Sequence, residues 1–246
     1  MPGIDPFSFK PVYLETYLDE QKGGVATGFI VKKDDLNYLI TNWHVVTARD
    51  PLDNQPLSRT GIVDPNMLRV WFHGERLGYW LQVEVPLFNQ NKEKLWFEHC
   101  RGREIDVVAV PLEILEHVNY YDIDLALADF DLMIYPSEAV SIIGFPEGLT
   151  SAGRLPIWKT GHIASDIDVN LDGKPMFFID ATTKRGMSGS PVIAKRVCIY
   201  QTSRGNNIGN AIKFLCVYSG REISASGIEV GYVWKPMVIS EILADH

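Results

Sequence analysis

Cysteine is scarce in this chain of 246 residues, which contains only Cys100, Cys198 and Cys216. An odd, sparse count excludes a disulfide framework and fits a reducing compartment. Cys198 and Cys216 stand in apolar, strand-like runs, where a buried free thiol is expected. Runs of Lys or Arg are also missing, and the formal charge is −8 with a pI near 5.2. Nucleic acid and anionic membrane are therefore poor partners. No apolar stretch is long enough to span a bilayer. The opening Met-Pro-Gly-Ile-Asp-Pro-Phe has no basic region followed by an apolar one, so a cytoplasmic location is expected. Neither His-Glu-x-x-His nor Cys-x-x-Cys spacing occurs, and neither metal nor cofactor is expected. Internal repeats are absent, and a monomer is the default.

What the chain has is a rhythm of short apolar runs rich in Val, Ile, Phe, Tyr and Trp, broken by Gly, Pro, Asn and Asp. Residues 25–31 and 36–41 flank the polar turn Lys32-Lys33-Asp34-Asp35, which predicts a hairpin. Further strands are predicted at 67–73, 79–85, 107–110, 140–145, 157–165, 176–180, 191–194, 197–200, 212–218 and 230–234. Many short strands favour a barrel or sandwich. Two segments read as helical. Residues 112–118 form the weaker one. In 236–245, Pro236 suits a first turn, and Val238, Ile239, Ile242 and Leu243 make an apolar stripe. The polar stretch 129–138 is the expected connector between two β-units.

Chemistry concentrates in Gly186-Met187-Ser188-Gly189-Ser190-Pro191. Glycines around a serine permit a tight bend, and small neighbours let a substrate carbonyl reach main-chain N–H groups. His44 follows the apolar run Tyr38-Leu39-Ile40-Thr41, where a chain leaves a barrel edge. Its imidazole titrates near neutrality and can take and return a serine proton. An orienting carboxylate has two candidates. Asp106 heads Val107-Val108-Ala109-Val110, and Asp124 heads Leu125-Ala126-Leu127-Ala128. The residues alone do not choose between them.

In the order His44, Asp106, Ser188, the chain resembles the trypsin-like (chymotrypsin-fold) serine peptidases, especially a disulfide-free bacterial branch that includes the high-temperature-requirement proteases. The resemblance rests on Gly28-Phe29-Ile30-Val31, Leu39-Ile40-Thr41-Asn42-Trp43-His44-Val45-Val46, Asp106-Val107-Val108-Ala109-Val110, Ile143-Gly144-Phe145-Pro146 and Asp180 through Pro191. It implies an all-β chain of two six-stranded antiparallel barrels with a C-terminal helix. The expected bounds are an N-terminal extension at 1–20, a first barrel at 21–128, a second at 139–235 and the helix at 236–246. It implies a serine endopeptidase acting on protein or peptide substrates. His44 would be general base and acid, Asp106 its orienting acid, and Ser188 the nucleophile, with Gly186 and Ser188 N–H groups as the oxyanion hole. The comparison favours Asp106, because the family places a Leu-x-Leu-x-Asp-like stretch later, a role that Leu125-Ala126-Leu127-Ala128-Asp129 fills. The alternative is a binding or sensing module on the same fold with impaired turnover.

Two departures stand out. Met187 precedes the serine where animal trypsins carry aspartate, so activation by a newly freed N-terminus is not expected; the methionine either packs under the loop or serves function. Trp43 replaces the usual alanine before the histidine and either shapes the leaving-group side or fills the core. By motif matching, Thr182 falls at the floor of the primary pocket with Thr183 beside it, and Tyr218, Ser219 and Gly220 form its wall strand. With no acid there, cleavage after Lys or Arg is disfavoured, and small or medium apolar side chains remain.

Overall fold

The computed structural model describes residues 3–76, 78–223 and 229–244. Seven strands make the first sheet: β1 (Pro11–Leu18), β2 (Gln21–Lys33), β3 (Leu36–Thr41), β4 (Met67–His73), β5 (Trp80–Pro86), β6 (Phe97–Glu98) and β7 (Val108–Leu112). Their order is β5-β4-β1-β2-β3-β7-β6. The β2–β3 hairpin turns where sequence places it, with Lys33 opposite Leu36 and both Asp34 and Asp35 at positive φ. Such a two-residue turn matches the natural twist of the paired strands.

Residues 11–18, expected within an N-terminal extension, instead form an interior strand between β2 and β4. Val12 and Leu14 are buried there, and Phe7 of the preceding 3₁₀ turn enters the core. The sheet also differs from the six-stranded barrel expected for residues 21–128. Among the described residues it has seven strands, and its two edge strands do not pair with each other. The edge strand β6 is only two residues long, and Leu87 and Trp96 of the intervening loop pack into the core beside it.

The second half closes fully. Strands β8 (Ala139–Gly144), β9 (Ile157–Ile163), β10 (Met176–Asp180), β11 (Pro191–Arg196), β14 (Ala211–Ile223) and β15 (Glu229–Trp234) form a six-stranded barrel in the order β10-β15-β14-β11-β8-β9. Closure removes the exposed edges that an open sheet leaves. A separate ribbon, β12 (Ile199–Thr202) with β13 (Gly205–Ile208), extends from it. The chain is thus mostly β, with one closed barrel and one larger sheet.

A single helical turn, α1 (Trp43–Thr47), follows β3, and α2 (Met237–Ala244) ends the described chain. On α2 the predicted stripe Val238, Ile239, Ile242 and Leu243 is buried. It packs in one cluster with Phe29 and Ile40 of the first sheet and Ile193, Phe214 and Trp234 of the barrel. That shared core fixes the two halves against each other, and Asp245 lies outside the described residues.

Two expectations give way. Residues 112–118 form no helix: Leu112 ends β7, and His117 adopts a left-handed φ of 66° that an α-helix does not admit. Cys198 is exposed at a positive-φ turn rather than buried in a strand, because the ribbon strand begins one residue later. Cys216 lies within β14, and its burial falls outside what is described.

Candidate active site

The candidate residues stand at strand ends of the two halves. Asn42 holds an extended backbone and caps α1, so that His44 leaves β3 on a single helical turn closed by the left-handed Ala48. Asp106 precedes β7, which pairs with β3 from Asn37↔Leu112 to Thr41↔Val108. This register sets the two side chains together. His44 Nδ1 lies 2.7 Å from Asp106 Oδ2, and the His44 main-chain N–H donates to Asp106 Oδ1 at 2.9 Å. Ser219 Oγ donates a third hydrogen bond to Asp106 Oδ2, and Asn42 Nδ2 donates to the Asp106 carbonyl at 2.6 Å. Asp106 is 2% exposed. A buried carboxylate is tolerable here because donors surround it.

The rival acid is elsewhere. Asp124 caps the 3₁₀ turn Leu125–Ala128, accepting from the Ala126 N–H at 2.9 Å. Burial acts most strongly on the His44 imidazole and on its own would lower its pKa. The Asp106 charge and hydrogen bond, helped by Asp50, overcome it and raise the imidazole above its ordinary value. Of the other histidines, His73 is driven down to about 4 by burial, and His99 pairs with Glu241 at 2.9 Å.

Ser188 sits half-buried in the turn between Lys184 and Ser190. Its carbonyl accepts from the Thr27 N–H at 2.9 Å. The next residue, Gly189, has φ 83° and lies where a Cβ would collide with Thr27 O and Thr41 Oγ1. Only glycine fits such a position. The residue after Ser188 is therefore packed against the end of β3, three residues before His44.

The loop is held on its outer side. Arg185 O accepts from the Glu147 N–H at 2.6 Å, and Met187 O from the Ser190 N–H at 3.0 Å. In a trans peptide the following N–H points away from such a carbonyl, and no cis bond occurs among the described residues. The Gly186 and Ser188 N–H groups are thereby turned the other way, and neither has an acceptor among the described residues. Two anchored, unused donors on either side of Met187 can receive a developing oxyanion.

Thr27 was not singled out by sequence, although it stands beside the Gly28-Phe29 motif. Its buried hydroxyl donates to Gly186 O at 2.7 Å and accepts from the Phe145 N–H at 3.1 Å. Thr27→Val should leave both groups unpaired, lowering stability by about 1–3 kcal/mol in a denaturant melt and reducing kcat more than it raises KM. Reduced stability with an unchanged kcat would show that the loop does not depend on this hydroxyl. Met187 is fully buried among Tyr218, Ile142 and Val192, which is a packing role. Trp43 is also buried, with Nε1 donating to Glu98 at 3.2 Å, and fills the core of the first half.

The five expected pocket residues divide. Thr182 is exposed and Gly220 half-buried, whereas Thr183, Tyr218 and Ser219 are buried. Thr183 Oγ1 and the Tyr218 hydroxyl are hydrogen-bonded to each other. Burial pushes the Tyr218 phenol up to about 12, and the Thr183 hydroxyl offsets only part of that. Ser219 faces Asp106 rather than the pocket.

Among solved structures the chain is similar to the serine endoprotease from Yersinia pestis, at 12% identity and a TM-score of 0.55, covering 100% of this chain and 67% of that one. It is also similar to the Rv3671c protease in its inactive form, at 16% identity and a TM-score of 0.46, covering 97% and 89%. At such identities the likeness shows the fold. No curated protein matches the sequence. A family model for the trypsin-like peptidase domain matches residues 26–197, which takes in His44, Asp106 and Ser188 together, and the chain therefore belongs to the trypsin-like peptidase family.

Proposed function

We propose that the protein is a serine endopeptidase that hydrolyses peptide bonds through Ser188, His44 and Asp106. The observation that carries this reading is the His44–Asp106 pair, with its 2.7 Å contact, beside a loop that presents two unused N–H donors. Ser188 Oγ attacks the scissile carbonyl carbon and its proton passes to His44 Nε2. The oxyanion is received by the Gly186 and Ser188 N–H groups. The C–N bond breaks as His44 returns the proton to the departing amine, leaving an acyl ester on Ser188. Water, deprotonated by the same imidazole, then releases the acid. Asp106 fixes the tautomer and stabilises the imidazolium as it forms. Family membership supports protein substrates.

A fluorophosphonate probe followed by peptide mapping tests the assignment. One adduct at Ser188 is expected; no adduct on folded protein, or an adduct at Ser190 alone, would refute it. The pH profile gives a second check. The base works only as neutral imidazole, and its pKa is raised, so kcat/KM should fall as pH drops through a midpoint above about 6.5. Removing the Asp106 charge takes away the larger raising influences and leaves burial opposed only by Asp50, so the residual activity of Asp106→Asn should show a lower midpoint. An acid limb that stays put in the variant would mean that another group controls it.

A further inference from the structure

A recess of about 260 Å3 lies outside the His44–Asp106–Ser188 group, lined by Tyr13, Trp71, Trp80, Gly148, Thr150 and Arg154. Strand pairing builds its aromatic walls: Tyr13 on β1 stands opposite Trp71 on β4, and Trp80 opens the neighbouring β5. The Tyr13 and Trp71 ring centres each lie 6.5 Å from that of Trp80. The remaining wall is the loop after β8. Gly148 has φ 76°, and a Cβ there would come within 3.1 Å of the Tyr13 hydroxyl. Its neighbour Glu147 donates to Arg185 O, so the recess borders the segment that leads into the Ser188 turn. Farther along, Ser151 N–H donates to Leu155 O at 2.8 Å and closes the loop that carries Arg154.

Arg154 sets the chemistry. Its guanidinium lies over both indoles, 5.3 Å from the Trp71 ring centre and 5.8 Å from that of Trp80. Stacking restrains the planar group and leaves its edge N–H donors free. It has no hydrogen bond or ion pair among the described residues, although the chain holds 31 acidic side chains. No Asp or Glu lines the recess. Glu15, which the Tyr13 hydroxyl reaches at 3.4 Å, is already paired with Lys22. The Nε1–H groups of Trp71 and Trp80 are also without an acceptor among the described residues. What the recess lacks is an anion. Its volume falls below the roughly 300–1,000 Å3 of pockets that enclose whole small ligands, and it suits a single side chain. Leu149 beside Gly148 and Tyr79 beside Trp80 are each 60% exposed, an apolar rim for the chain on either side.

We propose that this recess binds an acidic side chain, Asp or Glu, of an extended polypeptide. Arg154 supplies the charge and paired N–H donors for the carboxylate, and the aromatic walls hold the guanidinium and cover the methylenes of the bound side chain. The site stands apart from the catalytic reading, since nothing in it requires Ser188 to react.

The test is titration of the full chain, carrying Ser188→Ala to prevent hydrolysis, with tetraglutamate blocked at both ends. Salt is kept at 0.15 M so that diffuse attraction is screened. Indole N–H resonances, assigned with Trp71→Phe and Trp80→Phe, report the site. Tetraglutamate should shift the Trp71 and Trp80 signals, and blocked tetraglutamine should not. Arg154→Asn should weaken binding about 10- to 100-fold, the scale of a lost charge-assisted hydrogen bond. Arg154 is exposed at φ 56°, a conformation that asparagine tolerates, so the variant should fold. Arg204→Asn removes the same charge from the turn between β12 and β13 and should change binding less than about twofold. Equal weakening in the two variants, or no shift at either indole, would overturn the site. Glutarate bound as tightly as tetraglutamate would overturn the polypeptide as its ligand.

Discussion

Ser188→Ala should lower turnover by about six orders of magnitude, the scale seen when the serine of such a triad is removed, and should abolish fluorophosphonate labelling. The fold should survive. Ser188 is half-buried, and its structural bond is made by the carbonyl, which accepts from Thr27 N–H and remains in alanine. A side-chain truncation without lost packing shifts stability by no more than about 0.5 kcal/mol. Ser190 is the internal control. It is fully buried, with its hydroxyl directed at Met187 Sδ 4.0 Å away, and its N–H closes the turn on Met187 O. Ser190→Ala should keep labelling at Ser188, although packing beneath the loop will loosen. An adduct on Ser190 in the Ser188→Ala protein, or full turnover without Ser188, would remove the nucleophile from the proposal.

Much of the fold was legible because strand burial leaves a local trace. The segments 67–73 and 176–180 fall on observed strands at both ends, and the stripe on α2 was readable from spacing alone. β1 was missed for a physical reason. Glu15 and three tyrosine or threonine side chains interrupt its apolar alternation, and its burial comes from lying between β2 and β4, a non-local fact. Openness of the first sheet was equally invisible, since closure depends on whether β6 reaches β5.

The site divides along the same line. His44 and the Ser188 turn stand in recognisable local motifs, whereas Asp106 and Asp124 each head an apolar run and only the family's order of blocks favours Asp106. What joins them is tertiary. Thr27 reaches Gly186 across 159 positions of chain, and Ser219 reaches Asp106 across 113. A threonine beside a glycine and a serine in a strand carry no sign of such partners. Ser219 reaches the acid from a bulge in β14, where the register shifts between Tyr218 and Gly220.

Asp106→Asn should reduce kcat about 10⁴-fold near neutral pH, the loss known when the orienting acid of such a triad becomes an amide. Asp106 Oδ2 receives two donors, His44 Nδ1–H and Ser219 Oγ–H, while Oδ1 accepts from the His44 main chain. Asparagine supplies one oxygen for these three. With that oxygen kept on the His44 N–H, the amide nitrogen faces the imidazole and donates to it. Nδ1 must then be the acceptor, so the proton moves to Nε2, the atom that has to accept from Ser188. The base is blocked without any atom being displaced. Loss of the negative charge also removes what stabilises the imidazolium as it forms. Asp124→Asn is the matched control. Asparagine caps a helical turn about as well as aspartate, so the turn at Leu125–Ala128 persists and kcat should stay within about twofold. The comparison is made at saturating substrate on both variants, with circular dichroism establishing that each is folded. A large loss in Asp124→Asn beside a small one in Asp106→Asn would transfer the acid role to Asp124. That outcome would require a contact to His44 that Asp124, bonded to Ala126, does not make.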